Sequence, residues 1–130
     1  MGITAMFKRL GAPLVNSRWS WGGVRQDGSV VLRVWQNEAK RIDGLTCIQL
    51  THHTEFLGRE GDLGHQERQG HVAQIQVGAH CDMVMCTPKD TNAVPREIKG
   101  FNRRELFVAG QIIEYEGNWW APIVVRQPVR

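Results

Sequence analysis

Two stretches of the chain alternate apolar and polar residues on either side of a short turn signal, and each predicts a β-hairpin. In the first, Ser17 to Gln26 and Ser29 to Gln36 flank Asp27-Gly28, a dipeptide suited to a two-residue type I′ turn. That turn sets Gln26 opposite Ser29, Arg25 opposite Val30, Gly23 opposite Leu32 and Trp21 opposite Val34. Trp19, Trp21, Val30, Leu32 and Val34 then share a core face, while Ser20, Val24, Val31, Arg33 and Trp35 share the other. Gly22 and Gly23 have no side chains, so either something large lies over them or the strand bends there. In the second hairpin, Gln111 to Glu116 and Trp119 to Val125 flank Gly117-Asn118, which sets Tyr115 opposite Trp120 and Ile112 opposite Ile123.

The rest of the pattern fills in around these hairpins. Ile3 to Leu10 reads as one or two helical turns, ended by Gly11 and Pro13. A polar link, Asn37 to Gly44, precedes a strand from Leu45 to His52, and the glycine- and charge-rich Thr54 to Gly64 reads as a loop. His65 to Val77 fits two periods. Ala73, Ile75 and Val77 alternate as in a strand, whereas Arg68, Val72, Ile75 and Ala79 follow helical spacing. Its length, the helix formers Gln66, Glu67 and Arg68, and Gly78 as a C′ residue favour the helix. Cys81 to Thr87 reads as a buried strand, Pro88 to Pro95 as a polar loop, Arg96 to Phe101 as a short strand, and Arg104 to Val108 as a strand or one helical turn. Pro122 marks an edge or a corner, and Arg126 to Arg130 a frayed tail.

With no repeat or linker, residues 1–130 form a single domain whose N-terminal segment is Met1 to Val15. Six or so short strands with one or two helices predict an α+β, mainly β fold: a small curved sheet or closed β-barrel. No apolar run approaches the roughly 20 residues of a membrane span, and Met1 to Val15 lacks the apolar stretch of a secretory signal. Three cysteines are too few for a disulfide framework and point to a reducing, cytoplasmic setting. The net charge of +3 is compatible with nucleic acid without requiring it.

Several constellations suggest chemistry. His52, His53, His80, Cys81 and Cys86 are zinc-ligand types, but their spacing opposes a site, and the cysteines read as small buried hydrophobes. Neither a metal nor a cofactor is expected. Asp82 with Glu97 and Lys99 resembles a nuclease signature outside the helix-rich context such a site needs. Cys47 or Cys86 as a nucleophile has no histidine that the spacing selects. On a helix, Glu67 and His71 would lie at i and i+4, with Arg68 between them. A carboxylate-held imidazole suits a base edge or phosphate, although a solvated helix face is the simpler reading.

Aromatic residues change the picture most. Five tryptophans occupy three places: Trp19 with Trp21, Trp35, and Trp119 with Trp120. Arg18, Arg25 and Arg33 surround the first hairpin, while Arg96, Lys99, Arg103 and Arg104 cluster with Phe101 and Asn102. Trp35 beside Arg33, and Lys99 near Phe101, suit a groove for a phosphate backbone and a stacked base, and equally suit structural cation–π pairs.

Asn16–Gly22 (NSRWSWG), Val31–Trp35 (VLRVW), Gly64–Arg68 (GHQER) with His71, Val84–Cys86 (VMC), Arg96–Asn102 (REIKGFN) and Gly110–Glu114 (GQIIE) occur in an order that resembles a family of small bacterial proteins. Members of that family occur alone, as mobile gene-cassette products, or beside HNH-type nuclease domains. The layout is also similar to PUA-like barrels, the superfamily of EVE, YTH and ASCH domains. That resemblance implies a pocket for RNA or a modified base. The expectation is therefore a non-catalytic module that binds single-stranded nucleic acid or a flipped base through Trp19, Trp21, Arg33, Trp35, Glu67, Arg68, His71, Lys99, Asn102 and Arg104. In that arrangement Trp21 or Trp35 stacks, Arg33, Lys99 and Arg104 meet phosphates, and Glu67 with His71 reads polar edges. The alternatives are a small-molecule-binding barrel or modest enzyme with a Trp- and Met-lined pocket, and an interaction module such as a homodimer.

Overall fold

Local capping chemistry sets both helices in the computed structural model, which describes residues 2–93 and 96–129. Helix α1 (Ile3–Arg9) ends on Gly11 at φ 76°, where the amides of Gly11 and Ala12 donate to the carbonyls of Lys8 and Phe7. Helix α2 (Leu63–Gln76) starts at Asp62, whose carboxylate accepts the His65 amide at 3.0 Å. It stops at Gly78, φ 110°, with the amides of Gly78 and Ala79 donating to Ile75 and Gln74. The helical reading of His65 to Val77 is therefore correct, and Gly78 is its C′ residue. Among the described residues, no helix is long and apolar enough to cross a membrane.

The strands are β1 (Gly22–Val24), β2 (Val30–Trp35), β3 (Ala39–Ile42), β4 (Leu45–Gln49), β5 (Cys81–Pro88), β6 (Ile98–Phe101), β7 (Glu105–Ala109), β8 (Ile113–Tyr115) and β9 (Asn118–Pro128). They form one path, β1-β2-β5-β7-β9-β4-β3, with β6 beside β5 and β8 beside β9. Among the described strands only β2 and β5 run parallel, and the crossover between them carries β3, β4 and α2. The path is open from β1 to β3, so the mainly β fold with two helices is present without the closed barrel. Strand β9 joins the two halves: Trp120 to Pro122 pair with β4, and Ile123 to Pro128 pair with β7. Pro122 marks that handover. The tail expected to fray is thus paired as far as Pro128. Arg130, Met1, and the Val94-Pro95 end of the polar loop lie outside the described residues.

Turn chemistry shifts both predicted registers. In the first hairpin the Arg25 amide donates to Ser29, the Gly28 amide donates to Arg25, and Gly28 sits at φ 87°. This is a three-residue loop with a bulge, stabilised because the Asp27 carboxylate accepts the Ser29 amide and hydroxyl. Gly22 therefore pairs with Leu32 and Gly23 with Val31, one residue away from the two-residue expectation. The strand is also shorter than expected, so Trp19 and Trp21 precede β1 instead of facing its core. In the last hairpin Glu116 and Gly117, at φ 50° and 79°, form the turn and set Tyr115 opposite Asn118. The link between Asn37 and Gly44 contains β3, turned back on β4 by Asp43-Gly44 at φ 51° and 80°.

Both faces of the β2–β5 layer are covered. Val30, Leu32, Val34 and Met83 pack with Val72 of α2 and with Ile48, Leu50 and Ala121. Val31, Val84 and Cys86 pack under Met6 and Phe7 of α1. The bare positions of β1 are where backbone passes closest. A Cβ on Gly23 would overlap the carbonyl of Ala12, and one on Gly22 would meet Val31 O at 2.6 Å and His71 Nδ1 at 3.3 Å.

His71 is 7% exposed, and its Nδ1 has no partner among the described residues. Burial, with Arg68 nearby, pushes its pKa from 6.5 down to about 4. Between those values the unfolded chain binds a proton that the folded chain does not, so stability falls as pH drops through that window. The slope from this one group reaches at most about 1.4 kcal/mol per pH unit, and His65, also held low by burial, adds in the same direction. Denaturant titrations between pH 7 and 4 should show this loss, and it should flatten in His71→Gln. Equal slopes in the two proteins would contradict the assignment.

Candidate functional site

The buried face of α2 is Gly64, His65, Arg68, His71 and Val72, so its core stripe is mostly polar. Arg68 is 3% exposed. Its Nη1 donates to Leu50 O at 2.8 Å, and its Nη2 donates to Trp21 O at 3.1 Å and to Arg33 O. No carboxylate among the described residues forms an ion pair with it, and burial pushes its pKa down to about 10. One guanidinium thus ties together the segment before β1, strand β2 and the chain leaving β4. The next residue serves a second segment. Glu67 accepts the Ser20 hydroxyl at 2.9 Å and the Trp21 amide at 2.9 Å. Ser20 is fully buried, and its hydroxyl and amide close a loop with Asn16. Trp21 lies against the bare Cα of Gly64, where a Cβ would overlap its indole Nε1 and Cε2.

These contacts wall a cavity of about 270 Å³ lined by Arg18, Trp19, Trp21, Arg33, Trp35, His52, Glu55, Phe56, Arg59, Asp62, Arg68 and Arg96. Trp19, Trp21 and Trp35 are half-buried, whereas Trp120 is buried in the core behind β4. The aromatic walls brace one another and are braced by His65 and two of the lining arginines. Phe56 stacks on His65 at 4.7 Å and meets Trp21 at 5.4 Å. Arg68 lies 5.6 Å from the Trp21 ring, and Arg96 lies 5.9 Å from the Trp35 ring. The chain that carries Phe56 is held at its root by Asn118, whose side-chain oxygen accepts the Thr51 hydroxyl and the His53 amide.

At one side of the cavity, His52 Nε2 lies 2.8 and 2.7 Å from the two Glu38 oxygens, and Arg96 reaches Glu38 at 2.8 Å. Burial raises the Glu38 carboxyl, but these two partners outweigh it and hold the group below its ordinary range. Arg33 contrasts with this neutralised cluster. Its buried Nε has no hydrogen bond, no ion pair reaches its guanidinium among the described residues, and burial lowers its pKa. Five arginines and two carboxylates line the cavity, so positive charge is in excess where two of the guanidiniums are largely out of water.

The expected site residues separate into three groups. Trp19, Trp21, Arg33, Trp35 and Arg68 line the cavity together. Glu67 and His71 stand behind it: Glu67 fixes the tryptophan loop rather than His71, and His71 lies buried beneath Gly22, so neither is on a solvated helix face. Lys99, Asn102 and Arg104 lie elsewhere, on β6 and the following turn, where Asn102 accepts the amides of Arg104 and Glu105. The cavity also contains Glu55, Phe56, Arg59 and Asp62, which sequence spacing did not single out, together with His52 and Arg96, which it had placed in a zinc-ligand set and in a separate basic cluster. The charge density of Thr54 to Gly64 was the available signal for the first four.

The other constellations do not assemble. Asp82 binds Arg25 at 2.8 Å and His80 at 2.7 Å, whereas Glu97 is exposed and pairs with Lys89. Six residue steps along β5, about 20 Å at the rise of a strand, separate Asp82 from the Pro88–Ile98 pairing next to Glu97. Cys47, Cys81 and Cys86 are free and buried, and burial raises the last two thiols to about 12 and about 11. They pack as small hydrophobes and are poor nucleophiles. Among the described residues, no group of three or more His, Cys, Asp or Glu side chains is placed to hold a metal ion. Comparison with protein-family models, curated proteins and solved structures returned no match.

Two substitutions test how the site is held. Arg68→Met should cost about 3 kcal/mol or more in denaturant unfolding, because the Leu50, Trp21 and Arg33 carbonyls lose a charged donor in a dry environment. Gly64→Ala should cost about 1–3 kcal/mol and shift the Trp fluorescence maximum, since the added methyl displaces the Trp21 indole. Unchanged stability and emission in both variants would show that α2 does not position the cavity.

Proposed function

We propose that the cavity binds one nucleotide of a single-stranded nucleic acid, or a flipped base, with no chemistry of its own. The observation that carries this reading is the Arg33 guanidinium, without an anionic partner among the described residues, in a cavity walled by Trp19, Trp21, Trp35 and Phe56. A half-buried cation without a partner is costly, and a ligand that brings acceptor atoms to it offsets that cost. Flat indole faces favour a flat partner, and stacking of this kind accepts every base. A volume of about 270 Å³ is close to the lower end of small-molecule sites, roughly 300 Å³, which suits a single base rather than a dinucleotide. Phosphate contacts fall to the exposed Arg18 and Arg59, in place of Lys99 and Arg104, which do not line the cavity, and Arg33 meets the ligand from the inner wall. This is also the kind of function that the resemblance to PUA-like barrels implies.

Titration with short single-stranded DNA and RNA, followed by Trp fluorescence at two salt concentrations, tests the proposal. The expected result is quenching whose affinity falls as salt rises, because phosphate contacts release counterions. Trp35→Ala should weaken binding by roughly ten- to a hundredfold, the range that stacking on one aromatic supports, and Arg33→Gln by a similar factor. Thermal unfolding of each variant controls for lost structure. No quenching by either polymer would end this reading. A salt-independent quench by neutral nucleosides would make the cavity a small-molecule site.

A further inference from the structure

We propose that the cavity selects guanine; this rests on the nucleotide reading above and gives it a base. The motivating observation is a pair of opposite charges that line one small space without joining. Glu55 is half-buried, and its carboxylate has no hydrogen-bond or ion-pair partner among the described residues, although five arginines line the same cavity. Arg33 is likewise without an ion pair. The other cavity charges are engaged. Arg96 binds Glu38, Arg68 binds three carbonyls, Asp62 caps α2, and Arg59 reaches the Glu55 carbonyl. Arg18 remains on the exposed rim.

A ligand that satisfies both free groups must present two acceptors to a guanidinium and, on an adjoining edge, two donors to a carboxylate. Guanine does this. Its O6 and N7 accept from an arginine in the commonest base-specific pairing, and its N1–H and exocyclic N2 amino group donate in parallel to two carboxylate oxygens. Adenine offers an arginine only N7 and turns a lone pair at N1 toward the carboxylate. Cytosine has an amino donor next to the N3 acceptor, and thymine or uracil has a single N–H between two carbonyls. Each of these leaves Arg33 or Glu55 imperfectly matched in a partly dry site, and a site built to hydrogen-bond rejects such ligands strongly.

The experiment uses thymidine pentanucleotides with guanine, hypoxanthine, adenine, cytosine or thymine at the central position, titrated by Trp fluorescence at one fixed salt concentration. The guanine strand should bind tightest. Hypoxanthine, which keeps O6, N7 and N1–H but lacks the amino group, should bind roughly tenfold more weakly, and the other strands roughly a hundredfold more weakly. Glu55→Gln should remove the advantage of guanine over hypoxanthine, and because the Glu55 side chain makes no hydrogen bond or ion pair among the described residues, its thermal unfolding should match that of the parent protein. Equal binding of all five strands, or a preference for another base, would overturn the guanine assignment and leave the nucleotide reading standing. Full guanine preference in Glu55→Gln would overturn the role of Glu55. No binding of any strand would overturn both readings together.

Discussion

A buried guanidinium with no ion-pair partner among the described residues organises this molecule. Arg68 enters from α2 and gives its terminal nitrogens to the carbonyls of Leu50, Trp21 and Arg33, three acceptors from segments far apart in the chain. Each of those carbonyls lies where a strand begins, continues or ends, so the guanidinium does for them what a further ladder partner would. The cost of drying a cation is offset by charged hydrogen bonds, and the geometry that results is specific: one side chain fixes the mutual position of three walls. The aromatic cavity follows from this placement, because Trp21, Trp35 and Phe56 hang from the same three segments.

Elements with a strong local signal were legible. The Schellman ends of α1 and α2, marked by Gly11 and Gly78, lie where glycine chemistry predicts, and β5 emerges from a run of apolar residues. Registers were not. The Asp27 side chain favours a loop with a bulge over a two-residue turn, and one extra residue exchanges the faces of β1. Likewise, β3 was hidden because Ala39, Lys40 and Arg41 are exposed and only Ile42 turns inward. The closed barrel was inferred from the number of strands. The number does not determine closure, which depends on whether the first and last strands of the path meet.

The site was half legible for a related reason. Tryptophan beside arginine marks a surface of interest wherever it folds, so Trp19, Trp21, Arg33 and Trp35 could be singled out. Arg68 and His71 were visible as a polar constellation, but hydropathy assigns such residues to solvent, whereas here they are the buried stripe of α2. Glu38, His52 and Arg96 come from a 3-10 turn, a loop and the approach to β6, and no spacing rule joins them. Lys99 and Arg104 looked equivalent to Arg33 because net charge along a sequence carries no direction. Strand pairing supplies the direction, and it places Lys99 on β6, apart from the cavity.

The role of β9 has a consequence for how the chain reaches this state. Residues 118–128 are the seam between β4 and β7, and their pairing with Cys47, Ile48 and Gln49 spans about seventy positions. Until that segment is in place, the β3–β4 hairpin can form locally and β2 can pair with β5 across their crossover, but no strand joins the two edges. Exposed strand edges of that kind invite pairing with other chains. Assembly of the fold is therefore a cooperative event, paced by the long loop closures that its topology demands.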